Sequence, residues 1–277
     1  MTKPTITHHM PWQEYFDNPA LSSTGARTIL GQSPFHHYYR DREAEQTKAL
    51  RVGRTVHMLA LEPDAFMDHY RVFRKHTGEG SRKRNEDEKN QAAADGVELL
   101  DEDEFAEALL MRDAISSDKR AANLLATAEL EVSVEWTDAS SLCPCKARLD
   151  IVTPRFVADI KTCRSAKGDA FSRSIKDYGY HIQGAWYMDA FRAMYGREPE
   201  GFFFICVEKT KPYAVNVLKL DADSLDFGSE ECQRARLIHQ ECVKSGYWPG
   251  YGPGIEEVGI PAYAFPADDS PEAEDDL

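Results

Sequence analysis

The run Lys146-Ala147-Arg148-Leu149-Asp150, followed nine residues later by Asp159-Ile160-Lys161, places two carboxylates and an ammonium in one short stretch. Val157-Ala158-Asp159-Ile160-Lys161 alternates with the period of a strand, so Asp159 and Lys161 share one face and Ile160 points to the other. Carboxylate oxygens suit hard divalent cations such as Mg²⁺ or Mn²⁺. A neighbouring lysine stabilises charge developing on a phosphate or positions an attacking water. The pattern predicts a metal site with a charge stabiliser beside it.

Such a site needs rigid supports on either side. Residues 130–136, 145–152 and 156–162 alternate as three consecutive strands, the last two joined tightly through Thr153-Pro154-Arg155. Helical patterns follow at 168–177 and 181–195. Residues 201–207 then form a nearly continuous apolar run, which suits a strand covered on both faces, and 213–220 is its hairpin partner. A last helix is expected over 223–245. Upstream, Leu21-Ser22-Ser23-Thr24 offers hydroxyl caps for a helix over 24–31, and Ser33-Pro34 opens another. Val52, Val56, Leu59 and Ala60 recur at helical spacing over 50–61, with His57 mid-helix and Glu62-Pro63 as its stop. Residues 70–73 read as a short strand, 77–97 as a mobile loop with a helix in its second half, and 103–116 and 118–127 as helices.

These elements predict an α/β protein with a central mixed β-sheet flanked by helices and an N-terminal helical elaboration. One domain is expected over 21–246. Before it, 1–20 reads as an extended segment, and after it 247–277 reads as a Gly/Pro-rich, then acidic, flexible tail.

Composition narrows the function classes. A formal charge of −14 over 277 residues argues against non-specific nucleic-acid binding by the whole surface, but not against a local basic groove. Acidic residues gather at 86–107 and 268–277, basic ones at 71–84 and 161–176. No apolar run is long enough to span a membrane, and Met1-Thr2-Lys3-Pro4 does not open an apolar leader, so a cytoplasmic protein is expected. The six cysteines then read as reduced thiols. Cys143-Pro144-Cys145 lacks the partner spacing of a zinc or iron–sulfur site.

Taken in order, Asp150 and Asp159-Ile160-Lys161 resemble the PD-(D/E)XK nuclease signature in its Asp…Asp-x-Lys form. Gln183-Gly184-Ala185-Trp186-Tyr187 resembles the QxxxY motif of exonucleases related to RecB, Cas4 and phage lambda exonuclease. Gly53-Arg54-Thr55-Val56-His57 resembles the upstream helix of RecB-type and RecE-type enzymes. The segments at 21–34 and 178–183 are most similar to the RecE-like exodeoxyribonuclease VIII group.

The resemblance implies a restriction-endonuclease-like core. It implies that His57, Asp150, Asp159 and the Ile160 carbonyl ligate Mg²⁺ or Mn²⁺, that Lys161 orients water and offsets phosphate charge, and that Gln183 and Tyr187 position the nucleophile or a terminal phosphate. Glu135 would lie behind the ligands or hold a second metal. Arg148, Arg164, Lys167, Arg173 and Lys176 would contact DNA phosphates. The implied activity is 5′→3′ exonucleolytic digestion of linear double-stranded DNA, leaving 3′ overhangs for recombination by strand annealing. A homo-oligomeric ring, a RecT-like single-strand annealing partner and a phage origin come with it.

Other readings stay open on the residues alone. His57 suits an apolar core, the two aspartates could simply pair with Arg148 and Lys161, and the basic residues suit a solvated face. An endonuclease or single-strand exonuclease would use the same centre. A silent DNA-binding accessory protein would keep the fold without needing all of His57, Asp150, Asp159, Lys161 and Gln183.

Overall fold

The alternating segments assemble into a six-stranded mixed sheet whose two faces carry separate apolar cores. The computed structural model describes residues 3–40, 47–252 and 254–260. The first half of the chain supplies β1 (Thr5–Thr7), α1 (Trp12–Asp17), α2 (Ser23–Gly31), α3 (Pro34–Tyr38), α4 (Lys48–Leu61), α5 (Phe66–His69) and β2 (Tyr70–Phe73). Next come α6 (Ser81–Ala94), β3 (Glu98–Asp101), α7 (Glu102–Ser117), α8 (Lys119–Leu125), β4 (Glu129–Thr137), β5 (Pro144–Val152) and β6 (Val157–Cys163). The chain continues through α9 (Gly168–Asp177), α10 (Tyr180–Tyr195), β7 (Phe202–Glu208), β8 (Val215–Lys219) and α11 (Ala222–Ser245).

Strand order in the large sheet is β1-β4-β5-β6-β7-β8. Only β6 and β7 run parallel, and α9 and α10 make the crossover that a parallel connection requires. One face packs Val132, Leu149, Phe202 and Phe204 against Trp186 and Phe191 of α10, with α2 and α11 behind. The other packs Ile160, Ile205 and Val207 against Val56 of α4 and Met111 and Ile115 of α7. Arg51 ties α4 to α7 through a two-pronged pair with Glu104, both contacts 2.9 Å. That part-buried fork fixes the helix carrying His57, because two parallel charge-assisted bonds set orientation as well as distance.

Two upstream expectations change. Residues 1–20 are not simply extended: Thr5–Thr7 pairs antiparallel with β4, and Trp12–Asp17 forms a helix. Residues 77–97 are largely helical through α6, and the chain beyond forms β3, which pairs parallel with β2 in a second, two-stranded sheet. Ala92 is the one buried residue of α6, so no apolar period could announce it. Its Lys, Glu, Gln and Ala content favours the helix by propensity instead. Of the expected tail, 261–277 lies outside the described residues.

Candidate metal centre

The catalytic-looking residues meet where the sheet comes apart. Pairing between β5 and β6 holds at Ile151–Ala158 and Val152–Val157 and goes no further. Continuing that register sets Asp150 opposite Asp159, while the β4–β5 register, Leu130 to Ile151 and Val132 to Leu149, sets Glu131 opposite Asp150. Three carboxylates therefore stand abreast on three neighbouring strands.

The strands are distorted at this row. Leu130 and Ile151 serve the core on the α4 side, whereas Val132, Val134, Ala147 and Leu149 serve the opposite core. Strict alternation would put all six on one face. Glu131, where β4 changes face, has a left-handed φ of 52°, which costs a non-glycine residue of the order of 1 kcal/mol or more. The switch and the parting of β5 from β6 let α4, from one side, and α10, from the other, reach the same acids.

From α4, His57 sets Nε2 2.5 Å from Asp150 Oδ2 and Nδ1 3.1 Å from Glu131 Oε1. Among the described residues one group of His, Cys, Asp and Glu side chains gathers its donor atoms within 4.8 Å of one another: His57, Glu131 and Asp150. From α10, Gln183 Nε2 donates to Asp159 Oδ1 at 2.8 Å, and Lys161 Nζ lies 2.5 Å from Asp159 Oδ2. The ammonium also sits over the Tyr180 ring at 4.8 Å, so its position is fixed from two sides. Tyr187, one turn beyond Gln183, is buried beside Asp150 and Asp159.

Electrostatics shows how crowded the centre is. Asp159 is buried near Asp150; burial first, then that neighbouring charge, pushes its carboxyl up to about 7 despite Lys161. For His57, burial disfavours the cation, but Asp150 and Glu131 outweigh it and raise the imidazole well above its usual range. Lys161 is raised too: burial opposes its charge and Asp159 and Asp150 more than restore it. A carboxyl held protonated beside two further buried acids is what a divalent cation would neutralise. The donor set fits one, since ligands about 2.1 Å from an octahedral ion lie about 3–4 Å apart, within the spread of this cluster.

The structure moves two sequence assignments. Glu135 pairs across from Lys146 and beside Thr5, four pairs along the ladder from the centre, and Glu131 occupies the place expected of it. Arg148 does not present itself to DNA, because it is buried: Nε is 3.1 Å from Glu131, the guanidinium stacks 4.2 Å from the Trp12 ring, and it donates to the Met10 carbonyl. Lys146, two residues earlier on the same face, donates to the carbonyls of Tyr15 and Asn18. The N-terminal segment thus covers this face of β5.

Arg164, Lys167, Arg173 and Lys176 are exposed after β6 and along α9, with Lys167 paired to Asp169 at 3.0 Å. The Ile160 side chain is buried in the α4-side core. Cys143 and Cys145 are buried thiols outside the metal-type cluster.

A cation not foreseen from sequence also faces the centre. Arg27 of α2 donates to the Tyr178 carbonyl at 2.9 Å and is near enough to Tyr187, Tyr180 and Asp159 to feel their charge. Its helix carried capping signals but no chemical motif, so only tertiary packing reveals it.

Residues 33–258 match the family described as a PDDEXK-like domain of unknown function (DUF3799). No curated protein matches the sequence. Among solved structures, the chain is similar to one from Eubacterium rectale named "Putative exonuclease", with a TM-score of 0.58 and 18% identity over 87% of this chain and 88% of that one. At that identity the likeness is one of fold, a central mixed sheet flanked by helices in the manner of restriction-endonuclease-like nucleases.

Proposed function

The chain belongs to the PDDEXK-like family of unknown function (DUF3799), and from that membership we propose that it is a divalent-metal-dependent deoxyribonuclease, acting as a 5′→3′ exonuclease on linear double-stranded DNA. The observation that carries the reading is the row Glu131, Asp150 and Asp159, with His57 above it and Lys161 beside it. Structural needs alone do not gather three buried acids, since each raises the cost of ionising the next.

His57, Glu131 and Asp150, with Asp159 and the Ile160 carbonyl alongside, would hold Mg²⁺ or Mn²⁺. When bound, the cation supplies Lewis-acid stabilisation of the phosphodiester and activation of water. Lys161, held between Asp159 and Tyr180, keeps its charge and directs it at the oxygens of the scissile phosphate. Gln183 fixes the rotamer of Asp159, so the carboxylate needs no reorganisation at the moment of reaction. Tyr187 keeps its proton and can donate a hydrogen bond to a phosphate oxygen. Water attacks phosphorus in line with the departing 3′-oxygen of the terminal nucleotide, which leaves with a 3′-hydroxyl, and the phosphate stays on the shortened strand as its new 5′-phosphate end. The exposed cations Arg164, Lys167, Arg173 and Lys176 would hold the backbone beyond the cut. Digestion from 5′ ends leaves 3′ overhangs, the substrate for a RecT-like annealing partner.

A Mg²⁺-dependent time course on linear duplex labelled at each 5′ or 3′ end, beside covalently closed circles, tests the reading. Loss of 5′ label as mononucleotide, with circles intact, is expected. Cutting of circles would replace the exonuclease with an endonuclease, and no cleavage of any DNA would end the proposal.

A further inference from the structure

A groove of about 390 Å³ opens between α2 and α3, lined by Thr28, Gln32, Phe35, His36, Tyr39 and Arg40. Phe35 and Tyr39 meet ring to ring at 4.5 Å yet remain 46% and 66% exposed. Aromatic rings normally gain from burial, so a wet pair is surface left open to something flat. The rings continue outward. Tyr38 contacts Tyr39 at 5.0 Å and Trp248 at 5.1 Å, and His36 meets Tyr251 at 5.6 Å.

The array is held in place. Ser33 caps α3, its hydroxyl accepting from the His36 N–H, and the Phe35 N–H donates to the Pro249 carbonyl at 2.9 Å.

The lining chemistry selects the occupant. None of the six residues is aliphatic, so an apolar helix or a second hydrophobic face has little to bury here. Two rings offer π-faces, and the polar side chains of Thr28, Gln32 and His36 line the groove around them. That combination recognises unstacked bases on a single strand; a duplex keeps its base faces covered. The groove lies on α2, the helix that also carries Arg27, whose guanidinium donates to the Tyr178 carbonyl.

We propose that the α2–α3 groove is a binding subsite for single-stranded DNA, with a base stacked on Tyr39 and Phe35. As the path of the strand served by the metal centre it rests on the nuclease reading, but as a binding site it can be tested apart from it. The full chain in EDTA, where no metal-dependent cut can occur, is titrated against a 5′-fluorescein dodecamer of deoxythymidine and followed by fluorescence anisotropy.

Tyr39→Ala and Phe35→Ala are each expected to weaken binding about tenfold or more, whereas Tyr39→Phe keeps the stacking face and the affinity. A 12-base-pair duplex should lose much less. Both side chains are exposed, so the variants should keep the wild-type circular dichroism. Equal affinity of Tyr39→Ala and wild type, or no saturable binding by wild type, overturns the subsite. A loss of affinity that appears only with a change in oligomer mass overturns it as well, and makes the patch a self-association surface. If wild type binds through Tyr39 but cuts no DNA with Mg²⁺, the nuclease reading falls and the groove stands. If it cuts, and Tyr39→Ala binds normally, the groove falls alone.

Discussion

Glu131 and Glu135 lie on one strand with the same parity, and the register of β4 against β5 alone decides which one meets Asp150. Glu131→Gln is therefore expected to lower Mn²⁺ affinity by at least about tenfold, measured by titration calorimetry, and Glu135→Gln to leave it near wild type. The reverse order would move the centre. Protonation gives a second residue-scale test. Asp159 holds its proton up to about 7 and His57 holds one well above the usual imidazole range, so metal must displace protons near neutrality. Affinity should then rise as pH climbs through about 7. Calorimetry at pH 7 in two buffers of different ionisation enthalpy should show proton release on binding, and equal heats in both buffers would refute it. At this scale His57, Asp150, Asp159, Lys161 and Gln183 could be picked out from spacing and resemblance. Glu131 and Arg27 could not, because their part depends on a strand pairing and a helix packing that no local pattern encodes.

Helices position this centre by close approach. A Cβ at Gly228 of α11 would stand 2.3 Å from the His181 carbonyl of α10, too near for any side chain. Gly228→Ala should push α11 away from α10 and cost about 1–3 kcal/mol in urea denaturation, since backbone cannot yield as a flexible side chain does. Unchanged stability would mean that α11 does not hold α10, and with it Gln183, in place. Elements with a buried stripe, such as α4, were legible from their apolar spacing. The helix α1 was not, because it buries no residue, and α6, which buries only Ala92, was legible only in its second half. Arg148 illustrates the same limit. Strand parity gives the face it shares with Lys146, but that Trp12 and the Met10 carbonyl cover that face is a matter of where a distant segment lands.

For the whole molecule, a charge of −14 must be reconciled with the proposed binding of a polyanion. A homo-oligomeric ring with the exposed cations of α9 facing inward would do so, leaving the acidic outside to repel non-specific contacts. Light scattering should then give a multiple of the 31.3 kDa protomer, and a monomer at every concentration tested would remove the ring. Among the described residues no helix is long and apolar enough to cross a membrane. The sequence by itself determined the succession of strands and helices from 130 to 245, because periods of two and 3.6 are local properties of the chain. It also determined the acid–lysine pair on one face of β6. Tertiary structure decided which carboxylate completes the cluster, which cations are covered and which face solvent, and that β5 and β6 part at Asp159. Those outcomes depend on register, on a left-handed residue at Glu131 and on helices arriving from opposite faces, all set by contacts between residues far apart in sequence.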